Sequence, residues 1–515
     1  NVGLVIGEDK KDENVLAKIK KIRNAPERYD SENEPLNCYV DSGDVHMLLI
    51  GASGIGKTAN FLYPNIEYAF ASGMSFLTTD TKGDLYKNTA TIGKRYYGYK
   101  IKVIDLRNPM KSSGYNMIYL INKYMDLYKK TGELKYQSKA EKYAKITSKT
   151  IIEMGVDPGS FGQNSYFYDS AEGVVTAALL IIATYGKPGE RHIVSVFKLI
   201  QDLMEPSGKE GMNRFQVLVS ILPQDSRARW YAASGLKTSS ETMMSVMSTA
   251  MSRLLSFLDA ELEQMMCFKN SVDVEQFCKE KTAIYVTLPE EDTTKHFMAS
   301  LFIQQMYREM LEVADSNGGH LDNRVMFYCD ELGTMPKIDG LEAMFSAARS
   351  RRISIIAIIQ SLSQFEKTYG KEGAEIIEDN CQLTLFGGFA PQSKTAEVLA
   401  QNLGKMTVES ASVNYNTVGG LMETASGKTL SMAERALMTV DELKNMPKGH
   451  FILMKTGVHP FRTTLRLFLK WGITFEEEYA LKSKEQKRPK YIEEKALTDA
   501  IIDAKFDAGE FSQNA

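Results

Sequence analysis

The octapeptide Gly51-Ala52-Ser53-Gly54-Ile55-Gly56-Lys57-Thr58 constrains this chain most, because it spells G-x-x-x-x-G-K-T between a strand and a helix. The apolar run Val45–Ile50 before it reads as a buried strand. Residues Ala59–Phe70 after it have helical spacing, with Phe61, Leu62, Ile66 and Phe70 on one face. In that setting the glycines let backbone N–H groups converge on phosphate oxygens, and the helix N-terminus adds partial positive charge. Gly51 to Thr58 are therefore the expected nucleotide-binding residues. Lys57 is placed to reach the β- and γ-phosphates, and the Thr58 hydroxyl to hold Mg²⁺.

A second half of the site is expected at Arg324–Glu331, an apolar strand that ends in two carboxylates. Asp330 suits a hold on Mg²⁺. Glu331 suits the base that orients or deprotonates an attacking water. An Asp-Glu pair here points to ATPases of the additional-strand class rather than to GTPases or kinases. Further on, a small-residue helix over Leu341–Ala348 runs into Arg349-Ser350-Arg351-Arg352. The β-branched run Ile353–Ile359 then reads as a buried strand ending at Gln360. Gln360 is placed to sense the γ-phosphate or the lytic water. One of the arginines is a candidate finger onto a neighbouring subunit's ATP.

Several blocks together resemble the coupling proteins of conjugation and type IV secretion (the VirD4/TraG/TraD family). They are Asp330-Glu331-Leu332-Gly333, Pro336-Lys337-Ile338, Ala348-Arg349-Ser350-Arg351, Ile359-Gln360-Ser361, Gln364 and Tyr369-Gly370. Thr79–Leu85 resembles the family's D-P-K-G-E-L segment, with Thr81 for proline and Asp84 for glutamate. Ser113–Ile118 resembles its Y-N-P-L segment without the proline, and Met438–Leu443 and Gly457–Phe461 echo its closing motifs. By motif position, Arg349 corresponds to the family's arginine finger and Gln360 to its sensor glutamine. The resemblance implies an ATP- and Mg²⁺-dependent hexameric ring that handles single-stranded DNA, recruits a relaxase or relaxosome, and delivers it to type IV secretion channel components. It also implies the soluble part of a membrane-anchored protein, on the cytoplasmic face of the inner membrane, because such proteins carry N-terminal membrane helices and this chain begins at Asn1.

Composition agrees with a large ATPase. At 515 residues, 43% hydrophobic and 25% charged, the chain can bury a sizeable core in two domains. Its five cysteines, Cys38, Cys267, Cys278, Cys329 and Cys381, lack metal-type spacing and read as free thiols. A net charge of −3 does not advertise a nucleic-acid protein, so DNA handling rests on the resemblance. The longest apolar stretch, Val174–Ala183, is about half of what a bilayer crossing needs and reads as a core helix.

The spacing of the motifs gives the expected organisation, a RecA-like α/β fold interrupted by an all-helical insertion. Residues 1–34 form a charged, mobile lead-in and 35–119 the first part of the nucleotide-binding domain. The all-α insertion covers 120–271, with helices near Ala140–Met154, Ser165–Thr184, Ile193–Met204 and Thr238–Asp259. The second part covers 272–480, with strands at Thr282–Leu288, Gln382–Phe386 and His450–Lys455. Residues 481–515 form a charged tail whose helix, about Tyr491–Phe506, reads as solvated. Two other functions fit less of the chain: an FtsK- or HerA-like pump of double-stranded DNA, and a non-hydrolysing receptor for protein substrates.

Overall fold

In a computed structural model the described residues are 2–8, 15–25, 38–153, 165–205, 207–208, 212–236, 240–289, 293–335, 337–414, 417–418, 421–422 and 427–507. The strands in chain order are β1 (Leu4–Glu8), β2 (Cys38–Asp41), β3 (Met47–Ile50), β4 (Ser75–Asp80), β5 (Lys100–Asp105), β6 (Thr282–Thr287), β7 (Val325–Cys329), β8 (Ile353–Ile359) and β9 (Leu383–Phe386). They continue with β10 (Lys405–Asn414), β11 (Thr417–Val418), β12 (Leu421–Met422), β13 (Gly427–Ala436), β14 (His450–Lys455) and β15 (Val458–Thr464). Nine of them make one sheet, in the order β15-β14-β9-β3-β8-β7-β4-β6-β5. The seven from β9 to β5 run parallel, and β14 and β15 extend the β9 edge with antiparallel pairings.

Strands buried on both faces need apolar side chains at successive positions, and Ile353–Ile359 is buried along its whole length. The two faces feed separate cores. Leu48, Ile50, Leu77, Phe327, Ile355 and Ile359 face one side, while Met47, Leu49, Phe76, Tyr328, Ile356 and Ile358 face the other. Helix layers cover both, giving an α/β/α sandwich. The second face packs on the helix that follows the phosphate loop, through Phe61, Leu62, Ile66 and Phe70.

Between β5 and β6 the described chain is helical. It includes Tyr119–Thr131, Leu134–Glu153, Ser165–Tyr185, Ile193–Leu203 and Ser240–Leu254. The first sheet core runs without a break into these helices, from Ile104 and Leu106 through Met117 and Ile118 to Leu120 and Ile121. Ser165–Tyr185 is long and apolar enough to cross a membrane, but here Val174–Ala183 is buried among helices. A helix that is apolar on every side belongs inside a large core. No disulfide joins any of the five cysteines among the described residues.

Two expectations at the chain ends need correction. The lead-in is built into the fold where it is described. β1 pairs with β2, and the Val5 N–H donates to Asn65 Oδ1 at 2.8 Å. Arg23, in the helix Val15–Asn24, makes a buried two-point ion pair with Glu67 at 2.9 and 3.0 Å. The high charge of the segment concealed a few well-placed anchors: Ile19 joins Val5, Trp471 and Ile473 in a small core, and Ile22 packs into the larger one. The tail is docked rather than solvated. Its helix, Glu494–Asp507, buries Leu497 and Ile501, and Ile492 just before it, against the helical layer. On the way, residues 476–491 strap the molecule. Tyr479 N–H donates to Lys87 O (3.0 Å), Lys484 N–H to Met110 O (3.0 Å), and Gln264 exchanges two bonds with Lys487 (2.8 and 3.0 Å).

Candidate nucleotide site

The phosphate loop lies where the sheet topology reverses. β3 has β9 on one side and β8 on the other, and both lie more than 300 residues further along the chain. Ligands in open α/β sheets bind in the crevice outside the strand C-termini at such a point. The loop is tied to both neighbours: Gly51 N–H donates to Ile359 O (3.1 Å) and Ala52 N–H to Gly388 O (2.8 Å). Gly54 and Gly56 sit at φ 79° and 94°, a region in which other residues are strained. Helical structure starts directly after Gly56, as a π-type turn over Lys57–Leu62 that continues into Tyr63–Ser72.

Behind the loop, Ile55 packs on Gly388. A Cβ on Gly388 would stand 1.9 Å from Ile55 Cγ2, and one on Gly51 2.4 Å from Gly387 O. The glycine pair is thus the back wall of the loop. The sequence reading missed it, although a Gly-Gly directly after a strand beside the phosphate-loop strand was the available signal.

Lys57, 6% exposed, donates to Gly51 O at 2.7 Å and stands 3.9 Å from Glu331 Oε1. Burial lowers its pKa, while Glu331 and Asp330 oppose that shift. β8 separates β3 from β7, so the sheet contains the additional strand that the Asp-Glu pair implied. That spacing faces Asp330 and Glu331 towards the loop across the end of β8. Gln360, the first residue beyond β8, donates to Glu331 Oε2 at 2.9 Å. The structure therefore brings Lys57, Asp330, Glu331 and Gln360 together.

Glu331 adopts φ 54°. With Arg352 it is one of two non-glycine residues at positive φ among the described residues. Such strain persists only where the surroundings hold it. Here the Glu331 carbonyl accepts from Thr334 N–H (2.9 Å) and Met335 N–H (3.2 Å), and its N–H donates to Asp330 Oδ1 at 3.1 Å. Asp330 is 8% exposed, and burial followed by repulsion from Glu331 raises its pKa to about 7. Asp80, at the end of β4, is a third carboxylate of the cluster, raised by burial to about 6. Both its oxygens are engaged, by Gly83 N–H (2.8 Å) and Tyr86 N–H (3.1 Å). Asp330 Oδ2 accepts no hydrogen bond among the described residues, so Asp330, unlike Asp80, has an oxygen left for a divalent cation.

Arg349 is elsewhere. It opens a short turn, Arg349–Arg351, before β8, whereas Gln360 follows that strand. Seven residues of strand, about 20 Å, separate it from its own phosphate loop. It lies beside His46 at the start of β3, whose pKa burial lowers to about 4 with a further contribution from Arg349.

Comparison with known proteins fits this architecture. Residues 9–495 match the family described as "Type IV secretory system Conjugative DNA transfer". The chain belongs to that family. Among its relatives is the type IV secretion system-coupling protein VirD4 of Bartonella henselae, 19% identical over 436 residues, or 84% of this chain and 64% of that protein. Coupling protein TraD of Escherichia coli K12 is 26% identical over 154 residues, 30% of this chain. The chain spans 64% and 46% of the two VirD4 relatives it matches. Unbound TrwB, a bacterial conjugative coupling protein lacking its first 70 residues, superposes with a TM-score of 0.57 at 15% identity over 90% of this chain and 93% of its own. TrwB with the ATP analogue ADPNP gives 0.56 at 14% identity over 93% and 96%. These likenesses establish a RecA-like P-loop fold with a helical portion.

Proposed function

We propose that this chain is the ATP-hydrolysing motor of a conjugative coupling protein. It binds ATP and Mg²⁺, works as a homo-hexamer, and moves single-stranded DNA with its relaxase into a membrane-spanning type IV channel. The observation that carries the reading is the contact chain Lys57–Glu331–Gln360 at the topological switch point. In this reading a phosphate cation, a carboxylate base and an amide stand within reach of one γ-phosphate and one water. TrwB has been solved with ADPNP and with ADP and Mg²⁺, and its fold is similar.

In this reading the backbone of Gly51–Thr58 and Lys57 hold the phosphates, and Thr58 and Asp330 hold the metal, which offsets charge as it develops on the phosphates. Gln360 orients Glu331, which takes a proton from the attacking water. Arg349, on the far rim of its own sheet, serves a neighbour's site. Helices 120–271 carry substrate recognition, and a membrane anchor belongs to the full-length protein.

The decisive experiment measures ATP turnover with and without single-stranded DNA. Lys57→Ala abolishes turnover. Glu331→Gln still binds ATP but turns over about 100-fold more slowly. Turnover by Glu331→Gln at the wild-type rate overturns the assignment of the base. Salt-independent DNA binding, with no stimulation of hydrolysis, favours a protein-only receptor.

A further inference from the structure

β4 ends beside the Asp330 strand, with Thr78 opposite Tyr328, and Thr79 Oγ1 donates to Asp330 O at 2.9 Å. The loop that follows, Thr81-Lys82-Gly83, is therefore fixed to the rim of the nucleotide site. Two further devices hold it. Asp80 accepts from Gly83 N–H and Tyr86 N–H, and Gly83 adopts φ 77° to open the helix Asp84–Tyr97. From the other side, the Arg107 guanidinium donates to Thr81 O at 2.9 Å and Lys82 O at 3.1 Å.

This is a heavily braced backbone for a loop whose one long side chain, Lys82, is exposed and makes no ion pair among the described residues. The rim it faces holds three carboxylates, Asp80, Asp330 and Glu331, and one buried lysine. Lys82 lies within electrostatic range of Lys57. An exposed cation on a loop fixed to this rim, on the side of the site away from the phosphate loop, is placed to meet the outer end of a bound polyphosphate.

We propose that Lys82 is a second cation of the triphosphate site, engaging the terminal phosphate of a bound nucleoside triphosphate, with Asp80 and Arg107 as positioning residues that hold its loop. The inference rests on the nucleotide-binding reading above and adds a specificity to it. A cation on the terminal phosphate distinguishes triphosphate from diphosphate, whereas Lys57 and the loop backbone hold both.

The test is calorimetric titration of the full chain, in Mg²⁺, with a non-hydrolysable ATP analogue and separately with ADP. Lys82→Gln weakens the triphosphate analogue about tenfold and leaves ADP within about twofold, the size of one charged hydrogen bond. Lys82→Arg restores the analogue. Lys57→Ala weakens both nucleotides. Unchanged analogue affinity in Lys82→Gln, or equal losses for both nucleotides, overturns the role of Lys82 while the site reading stands. No effect of Lys57→Ala overturns both. If Lys82→Gln instead weakens single-stranded DNA binding and spares the analogue, the lysine belongs to the DNA path and the proposal fails. Because the Lys82 side chain is exposed, its replacement leaves the melting temperature unchanged.

Discussion

Asp330 is a carboxylate held at a cost. Its pKa is about 7 in the folded chain against 3.8 as a free side chain, so between about pH 4 and 7 the folded state keeps a proton that the unfolded state has released. Stability then falls as pH rises through that window, because the native state binds more protons than the unfolded one. Asp80 adds to the same trend up to about pH 6. Asp330→Asn removes most of this dependence. Without metal, the variant melts higher than wild type at pH 8 and no differently near pH 4, while Mg²⁺ stabilises the wild type alone. Thermal melts across pH, with and without Mg²⁺, check it. Lys57, Asp330, Glu331 and Gln360 were legible in the sequence because each sits at a fixed offset from a strand end, and strand ends can be read from apolar runs. The roles of Asp80 and Arg107 were not, although Asp80 lies in the Thr79–Leu85 block: both act on main-chain N–H and C=O groups, and a backbone partner leaves no residue-type signature.

At the scale of elements, continuous apolar runs announced themselves, and β8 and β14 lie where the sequence placed them. β4, Ser-Phe-Leu-Thr-Thr-Asp, is just as buried but four of its six residues are polar, so hydropathy did not reveal it. The ribbon β10–β13 was also missed. Its ten antiparallel pairs, from Lys405–Ala436 to Asn414–Gly427, leave Met406, Leu430 and Met432 exposed, so it lacks the one-sided alternation that a packed hairpin shows. Two elements make testable statements. Gly388→Ala drives a methyl into Ile55 and must hold φ 64°, so nucleotide affinity falls about tenfold although residue 388 is remote in sequence from the phosphate loop; binding titration reads it. Ile501 is fully buried under the tail helix, and Ile501→Asp frees Glu494–Asp507 from the helical layer. Hydrogen exchange then rises across that helix and along residues 476–491, with the sheet unaffected.

For the whole molecule, the rim-to-rim separation of Arg349 from its own phosphate loop makes the assembly accountable. On the proposed assembly, a lone chain is expected to bind ATP but to hydrolyse it slowly, which a turnover assay at low and high protein concentration checks. Arg349→Ala leaves nucleotide affinity largely intact and lowers the turnover of the oligomer by about 10³-fold, as removal of an arginine finger does. Mixing Arg349→Ala with Glu331→Gln chains restores part of the activity, since one orientation of each mixed contact pairs an intact base with an intact arginine. An inactive mixture of demonstrably assembled rings shows that Arg349 is a surface charge. The overall layout was readable from the distance between Lys57 and Asp330. The docking of both chain ends was not, because a few anchors such as Ile19, Arg23 and Ile501 are diluted among charged neighbours.

The position of β3 also governs how the protein comes into being. The strand is synthesised more than 300 residues before its two sheet neighbours, Ile353–Ile359 and Leu383–Phe386. Until those strands have been made, the phosphate loop has no walls, and Met47–Ile50 is an apolar segment with both edges open. The motif most easily read in the gene is thus among the last to become a site in the protein, and the wait leaves an open strand edge of the kind that makes folding intermediates prone to aggregate.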